Sequence, residues 1–240
     1  MQLYGIGDLH LSLGVPEKPM DIFHGWENYM QLLEQHWRAM VQPEDTVVLA
    51  GDLSWGMTLP QAKADFAFLE TLPGQKIILK GNHDYWWNSM KKMQQFFADN
   101  GFESLHILHN NHYAFQQYGI CGTRGWVSIN GETADAKVLA REVQRLEVSI
   151  QSALKEQLTP IVFLHYPPIY GNSYNYEILE VLHRYAITEC YYGHIHGKAH
   201  QYAFEGVYEE TKMHLISGDY IQFKPVNRLI CAKKRSGKFL

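Results

Sequence analysis

Short apolar runs that end in polar residues recur along the chain and alternate with stretches of helical pattern. The runs are LYGIGD at 3–8, TVVLAGD at 46–52, KIILKGN at 76–82 and IVFLH at 161–165. Such continuous apolar runs predict buried β-strands, each with polar side chains at its end. Helical patterns over residues 26–41 and 60–72 separate the first three strands. Strand and helix in alternation predict a layered α/β domain with a parallel sheet.

The second half of the chain continues with further helices and strands. Helical patterns cover residues 88–100 and 133–157, and a β-rich stretch lies at 105–123. Residues 199–232 alternate like several antiparallel strands with a turn at Glu205–Gly206, which predicts a second sheet packed on the first. Three irregular segments are long enough to overhang a site. They are residues 11–25, 124–132 and 170–176.

Composition and charge limit the class of protein and its partners. The chain of 240 residues is 46% hydrophobic, enough for a full core, and we expect a single domain over residues 1–240. The formal net charge of −4 gives no basic footprint, so a nucleic-acid partner is open but unsupported. No apolar run approaches a membrane span, which predicts no membrane partner. Cys121, Cys190 and Cys231 are too scattered for a disulfide framework and predict reduced thiols and a cytoplasmic location.

Five short segments carry the residues suited to chemistry. They read GDLHL at 7–11, GDLSWG at 51–56, GNHDYWW at 81–87, LHYPP at 164–168 and GHIHG at 193–197. Their carboxylate, imidazole and amide donors, without a thiolate, suit Mn²⁺, Fe or Zn²⁺. Because alternate side chains on an extended backbone point the same way, each Asp-x-His or His-x-His pair can supply two ligands. The candidates are Asp8, His10, Asp52, Asn82, His83, His165, His194 and His196.

Any one of these segments has a simpler structural interpretation. An Asp after a Gly at the end of a strand can cap a helix, and a lone His in an apolar setting is more often a hydrogen-bonded core residue than a ligand. Five such segments, all built from metal-compatible residues, are hard to reach by chance. Burying that many polar groups without a metal would also cost free energy. Together the segments predict a metal centre.

The ordered series Asp-x-His, Gly-Asp, Gly-Asn-His-Asp, His and Gly-His-x-His resembles the motifs of the calcineurin-like metallophosphoesterase family. The motifs span residues 7–197, and none of the family's ligands is missing. The resemblance implies an α/β fold of two facing mixed β-sheets flanked by helices, a four-layer αββα sandwich. It also implies a dinuclear metal site at one edge of the sandwich.

The resemblance implies a role for each candidate residue. Two sets of three residues would each hold one metal ion: Asp8, His10 and His196 for the first, and Asn82, His165 and His194 for the second. Asp52 would bridge the two ions, and His83 would stand free as the catalytic acid. Two divalent or trivalent ions of manganese, iron or zinc are expected as cofactors, and a metal-bound water would be the nucleophile.

The motifs indicate which type of bond is cleaved, but they do not identify the substrate that contains it. They predict a metal-dependent hydrolase that acts on a phosphodiester or a phosphomonoester of a small molecule. This chain has GDLSWG and GNHD where protein Ser/Thr phosphatases have GDxVDRG and GNHE, which disfavours that branch. The opening GDLHL is similar to the lipid pyrophosphatases of bacterial lipid A synthesis, but those enzymes usually carry Arg at the position of His83, which disfavours that assignment as well. A metal-dependent nuclease and a metal-stabilised, non-catalytic interaction module are the alternatives, and the oligomeric state is left open.

Two further features beside the motifs each have a functional and a structural interpretation. A group of aromatic residues could form a wall that stacks a base or another planar group, or could pack beneath the loops. Arg124, in GTRGW after an apolar strand, is a candidate for binding a substrate phosphate or for a surface ion pair. The aromatic residues are Trp55, Tyr85, Trp86, Trp87 and Trp126.

Overall fold

A computed structural model describes residues 1–126 and 136–227 of the chain. The strands of the first half are β1 (Leu3–Ile6), β2 (Thr46–Leu49), β3 (Gln75–Ile78) and β4 (Leu105–Ile107). They form a sheet in the order β1-β2-β3-β4, and every neighbouring pair is parallel. The helices between them are α1 (Tyr29–Met40), α2 (Leu59–Thr71) and α3 (Met90–Asp99).

A second sheet of six strands follows. Its strands are β5 (Tyr113–Phe115), β6 (Tyr118–Thr123), β7 (Thr159–Leu164), β10 (Glu189–Tyr192), β11 (Gly206–Tyr208) and β12 (Thr211–Leu215), and a small hairpin of β8 (Ile169–Tyr170) and β9 (Ser173–Tyr174) lies apart from it. The sheet order is β11-β12-β10-β7-β6-β5, antiparallel at its two outer pairs and parallel between them. The accompanying helices are α4 (Ala136–Lys155), α5 (Tyr176–Arg184) and a 3₁₀ helix (Gly197–Tyr202).

Apolar side chains on both faces of each sheet build four layers. On one face of the first sheet, Leu3, Val48 and Ile77 share a buried cluster with Ile120 and Phe163 of the second sheet. The two sheets therefore face each other. The outer face of the first sheet packs against α1, α2 and α3, and that of the second packs against α4 and α5. Each fully buried side chain of this size contributes roughly 1.5–3 kcal/mol to folding.

Capping residues start the helices directly after the candidate segments. The side chain of Thr58 accepts a hydrogen bond from the amide of Gln61 at the start of α2, and Pro60 lies in the first turn. Ser89 caps α3 in the same way through the amide of Lys92. Side-chain oxygens at these positions satisfy amides that have no partner within the helix. The loops after β2 and β3, which carry Asp52, Asn82 and His83, are therefore anchored at both ends.

The fold class predicted from the sequence is confirmed, with two corrections. Within the described residues, the four strands of the first sheet are parallel to one another, and Val226 adds an isolated antiparallel bridge to Gly5 of β1. The segment from 199 onward contributes a single hairpin to the described structure, β11 and β12. The turn predicted at Glu205–Gly206 is wrong, because Gly206 opens β11 and the chain reverses at Glu209 instead, in a left-handed conformation with φ 51°.

Cys121 and Cys190 are buried free thiols, and burial raises the pKa of Cys121 to about 12. Cys231 lies outside the described residues. Within residues 1–126 and 136–227, no helix has both the length and the apolar content that a membrane crossing requires.

Candidate metal centre

The predicted site residues all follow the carboxyl ends of strands, at one edge of the two sheets. From the first sheet these are Asp8 and His10 after β1, Asp52 after β2, and Asn82 and His83 after β3; from the second they are His165 after β7 and His194 and His196 after β10. Ligands of α/β sheets bind in the crevice outside the carboxyl ends of the strands. We call the seven residues other than His83 the ligand cluster.

Four residues of the ligand cluster have a left-handed backbone conformation. The φ angles are 57° at Asp8, 44° at His10, 50° at Asp52 and 73° at His194. Residues with a Cβ rarely adopt this conformation, which costs on the order of 1–3 kcal/mol at each position. Strain of this kind persists only where the surrounding structure enforces it, and it clusters at functional sites.

Two motif glycines allow the buried carboxylates to approach the backbone closely. A Cβ at Gly193 would clash with the carboxylate of Asp8, and a Cβ at Gly81 would clash with that of Asp52. Backbone amides bind the carboxylates at the same places. The amide of His194 donates to Asp8 Oδ2 at 2.9 Å, and the amide of His83 donates to Asp52 Oδ1 at 2.7 Å. Both carboxylates are thereby fixed in orientation.

Asp8, His10 and His196 form one group of convergent donor atoms. One donor atom of each residue lies within 4.8 Å of those of the other two. His10 Nε2 lies 3.4 Å from His196 Nε2, which in turn lies 3.6 Å from Asp8 Oδ1. Asp8 and His10 are buried, whereas His196 is partly exposed. The group could hold a metal ion that remains accessible from one side.

A second group consists of Asp52, His165 and His194, whose donor atoms also lie within 4.8 Å of one another. Asn82 adds an amide oxygen, with Oδ1 at 2.6 Å from His165 Nε2. Asp52 Oδ2 lies 3.5 Å from His165 Nε2 and 3.8 Å from His10 Nε2 of the first group. The carboxylate of Asp52 therefore lies between the two groups.

The hydrogen bonds of His165 test whether these residues fit a cation. The backbone carbonyl of Ala50 accepts from His165 Nδ1 at 3.0 Å, so Nδ1 carries the proton. Burial lowers the pKa of His165, so the ring is neutral and Nε2 presents a lone pair. This Nε2 atom lies 2.6 Å from Asn82 Oδ1, so two acceptors are held together and both could bind one cation.

The electrostatics of the site also fit a bound cation. Burial lowers the pKa of His10 and of His194 to about 3, which leaves both rings neutral and able to donate a lone pair. Burial, reinforced by the charges of Asp84 and Asp8, raises the pKa of Asp52. Burial opposes a charge on His196, but Asp8 and Asp219 outweigh it and raise the pKa of His196 to about 10. A proton on His196 thus supplies positive charge that a metal ion would supply when bound.

Asp84 is a buried carboxylate that the sequence did not identify as part of the site. Its Oδ2 accepts from the amides of Gly81 at 2.7 Å and Asp52 at 2.9 Å. Its Oδ1 accepts from the amide of Leu53 and the indole of Trp86, both at 2.9 Å. Asp84 therefore ties the loop after β2 to the loop after β3 and orients Asp52 from behind. The sequence feature that could have identified Asp84 is its position in the segment GNHDYWW, next to Asn82 and His83.

Asp219 is a second carboxylate that supports the site from outside. His196 Nδ1 donates to Asp219 Oδ1 at 3.0 Å, which directs His196 Nε2 toward Asp8 and His10. Asp219 also accepts from the amide of Gly197 at 2.9 Å, and His200 Nε2 lies 3.3 Å from it. Carboxylates bound to the outer nitrogen of a histidine fix its tautomer and its orientation.

A cleft of about 490 Å³ opens beside the ligand cluster. His83, Asp52, His194 and His196 are among the residues that line it. Its lining also includes Lys198 and four apolar side chains, Met20, Phe23, Trp26 and Trp55. Three of these four apolar side chains come from the irregular region just after β1, where a segment was predicted to overhang a site. The exposed His24 lies at the same cleft.

The aromatic residues singled out in the sequence divide between the cleft and the core. Trp55 lines the cleft and stacks on His10, with ring centroids 5.0 Å apart and planes 26° apart. Trp86 is buried against Phe66 in the core. Tyr85 is exposed, Trp87 lines a separate pocket, and Trp126 contacts Tyr166. Trp26 lines the cleft although it had no motif beside it.

Arg124 lies beside the ligand cluster without lining the cleft. Its carbonyl accepts from the amide of His165 at 3.2 Å, whereas its guanidinium lines a neighbouring pocket with Lys80 and Arg145. Its Nη2 lies 3.7 Å from Glu142. Arg124 therefore makes an ion pair and also faces a cavity.

Comparison with known proteins adds a family to this geometry. A search of curated proteins found no significant match. The chain is similar to the solved structure of AQ665 from Aquifex aeolicus, a protein of unknown function, with 15% identity, a TM-score of 0.48 and 94% of each chain covered. It is also similar to TT1561 of Thermus thermophilus, with 14% identity, a TM-score of 0.48 and 82% of each chain covered. The family model of the calcineurin-like phosphoesterases matches residues 1–198, and the chain therefore belongs to that family.

Proposed function

We propose that this protein hydrolyses a phosphodiester or phosphomonoester of a small organic molecule with the help of two metal ions. Family membership supports a metal-dependent phosphoesterase. The observation that carries the two-metal proposal is the convergence of two groups of donor atoms at one edge of the sheets. Seven residues from five separate strand ends contribute to these groups, which ordinary packing would not require.

In this proposal, Asp8, His10 and His196 hold one ion, and Asn82, His165 and His194 hold the other. Asp52 would contribute to both, which is supported by the distances of 3.8 Å and 3.5 Å from its Oδ2 to His10 Nε2 and His165 Nε2. Imidazole, carboxylate and amide donors suit manganese, iron or zinc. Asp84 and Asp219 keep the ligands in place through hydrogen bonds to the loops and to His196.

The two ions would polarise the phosphoryl oxygens and supply a nucleophilic water. The protein's own residues hold the ligands in position and handle the leaving group. His83 lies at the cleft 5.8 Å from His10 between ring centroids, and its Nδ1 has no hydrogen-bond partner within residues 1–126 and 136–227. Burial lowers the pKa of His83, and the nearby His165 and His196 lower it further. A bound phosphate would raise that pKa, so that His83 protonates the leaving oxygen when substrate is present.

The apolar side of the cleft supports an organic group on the substrate. Met20, Phe23, Trp26 and Trp55 line the cleft of about 490 Å³ together with residues of the ligand cluster, and Trp55 stacks on His10 at 5.0 Å between ring centroids. Binding pockets for small molecules are largely apolar, with a few convergent polar groups. An aromatic side chain also offers a flat face to a planar group. We therefore place the organic part of the ester against this wall and its phosphate at the ligand cluster.

Hydrolysis of two chromogenic esters tests the proposal. The chelator-treated protein is supplied with Mn²⁺, Fe²⁺ or Zn²⁺ and incubated with bis(p-nitrophenyl) phosphate and with p-nitrophenyl phosphate. We expect nitrophenol release from at least one ester with at least one metal, and its loss on renewed chelation. Asp8→Ala serves as the inactive control. If neither ester is turned over with any of the metals, the proposal is wrong.

A further inference from the structure

A compact pocket with three cationic side chains lies next to the ligand cluster. Its volume is about 170 Å³, enough for several water molecules and hence for a phosphate group. Lys80 follows β3, Arg124 follows β6, and Glu142 and Arg145 belong to α4. We call these four residues and the cavity between them the cationic pocket.

The cationic pocket shares its backbone with the ligand cluster. Lys80 lies two residues before Asn82. The carbonyl of Arg124 accepts from the amides of His165 at 3.2 Å and Tyr166 at 2.9 Å. The loops that carry Asn82 and His165 are thus tied to the residues of the cationic pocket, although no described residue lines both this pocket and the cleft of about 490 Å³.

One buried carboxylate organises the pocket without neutralising it. Glu142 is 1% exposed and accepts from Thr123 Oγ1 at 2.5 Å and from Arg145 Nη1 at 2.6 Å. The more distant Arg124 Nη2 lies 3.7 Å away. Among the described residues that line the cavity, three cations thus face one carboxylate, and an excess of positive charge remains.

Two of the cations have unused hydrogen-bonding capacity. Lys80 is half-buried, and its ammonium makes no hydrogen bond or ion pair with any residue in 1–126 or 136–227. Arg124 Nε is buried and has no hydrogen-bond partner in the same part of the chain. The guanidinium of Arg124 lies over Trp126, 5.3 Å from the ring centroid, which limits its motion. Like charges that line one cavity repel one another, and an anion bound between them would offset that repulsion.

We propose that the cationic pocket binds a second phosphate group of the substrate, distinct from the one that is cleaved. Arginine binds phosphate with two parallel hydrogen bonds and lysine adds a point charge, so a phosphate matches the groups in the pocket. The proposal rests on the proposed phosphoesterase function. It narrows the substrate class to esters that carry an additional phosphate at some distance from the reacting phosphorus.

Matched pairs of substrates test this selectivity. The first series consists of p-nitrophenyl alkyl phosphodiesters, with chains of two to six carbons, that carry either a terminal phosphate or a terminal methyl group. The second consists of alkyl monophosphates with the same two ends. The value of kcat/KM is compared between the two ends in whichever series the enzyme hydrolyses. We expect the terminal phosphate to raise kcat/KM by about 10-fold or more at one chain length, which is the effect of one charge-assisted contact.

Lys80→Met supplies the diagnostic variant, because the ammonium that it removes has no partner within residues 1–126 or 136–227 whose loss would disturb the fold. We expect the preference for the terminal phosphate to fall by about 10-fold in this variant. Lys63→Met, which removes an exposed lysine from α2, is the matched control for net charge and should keep the preference. Metal content is measured in all three proteins.

The outcomes separate this inference from the proposed function. Turnover without a preference at any chain length, or a preference that survives Lys80→Met, would overturn the inference and leave the proposed function standing. Calorimetric titration with inorganic phosphate gives a readout that needs no turnover. If neither series is hydrolysed, the substrate assignment fails, and turnover of bis(p-nitrophenyl) phosphate or p-nitrophenyl phosphate decides the proposed function separately. Phosphate binding weakened about 10-fold by Lys80→Met would still establish the anion site.

Discussion

The ligand cluster and the cationic pocket lie side by side at the carboxyl edge of the sheets, yet their polar groups are held differently. The ligand cluster uses short side chains on left-handed turns, fixed by backbone amides and by Asp84. The cationic pocket uses long side chains from three separate elements, organised by the single carboxylate of Glu142. Rigid placement suits chemistry that depends on geometry, whereas an excess of cationic side chains suits recognition of a negatively charged group. We therefore expect changes in the ligand cluster to affect catalysis and changes in the cationic pocket to affect selectivity.

The largest effect should come from Asp52→Asn. The substitution keeps the shape of the side chain and removes the charge that lies between the two groups of donors. We predict weakened metal binding at both positions and a loss of turnover of about 10³-fold or more, roughly 4 kcal/mol of transition-state stabilisation. Metal content and kcat/KM measure the effect.

Asn82→Ala is the matched comparison for Asp52→Asn, because Asn82 approaches only the second group. We predict that it retains more metal than Asp52→Asn does. Equal metal content in the two purified variants would argue against Asp52 as the bridge. Circular dichroism of both variants checks that the fold is retained.

His83→Ala should separate catalysis from metal binding within the same cleft. We predict that the variant keeps both metals and loses activity by about 10²–10⁴-fold on an alkyl phosphoester, the typical effect of a general acid. The loss should be smaller on a nitrophenyl ester, because its leaving oxygen scarcely needs a proton. Rates on the two substrates, measured beside metal content, test this.

Two other results would change the role of His83. Loss of a metal ion from His83→Ala would make His83 a ligand. Equal slowing of both substrates with the metals retained would favour a role in positioning the phosphate.

Asp219→Asn should have the smallest effect on the ligand cluster. It weakens the charge that holds His196 without touching the donor atoms themselves. We predict a loss of about 10–100-fold in affinity for one of the two metal ions, with the other unchanged. The dependence of activity on Mn²⁺ concentration measures this loss of affinity. Asp99→Asn, at an exposed position of α3, is the control. If Asp219→Asn binds both ions as tightly as the wild type does, Asp219 does not support the metal site.

The convergence of the ligand-cluster residues at one edge of the sheets could be predicted because each strand end needed only local information. A run of apolar residues predicts a buried strand, and a polar residue at its end must lie near the sheet edge. Asp8, Asp52 and His165 could therefore be placed near one another without a structure. The resemblance to a family then divided the residues between two ions, a division that remains a proposal.

Features that depend on contacts between distant segments could not be predicted. Asp219 lies 23 residues from His196 and no motif surrounds it. Lys80, Arg124 and Arg145 line one cavity because the ends of β3 and β6 and one part of α4 lie beside it. The turn near the end of the chain was misplaced because Glu209, rather than a glycine, adopts the left-handed conformation there.

Metal titration of the chelator-treated protein, with turnover followed in the same samples, tests the two-metal proposal most directly. Calorimetry counts the Mn²⁺ ions bound per chain, and hydrolysis of bis(p-nitrophenyl) phosphate or p-nitrophenyl phosphate reports activity. We predict two bound ions per chain and turnover that reaches its maximum only when both positions are filled. One ion per chain with full turnover, or turnover that persists in excess chelator, would contradict it.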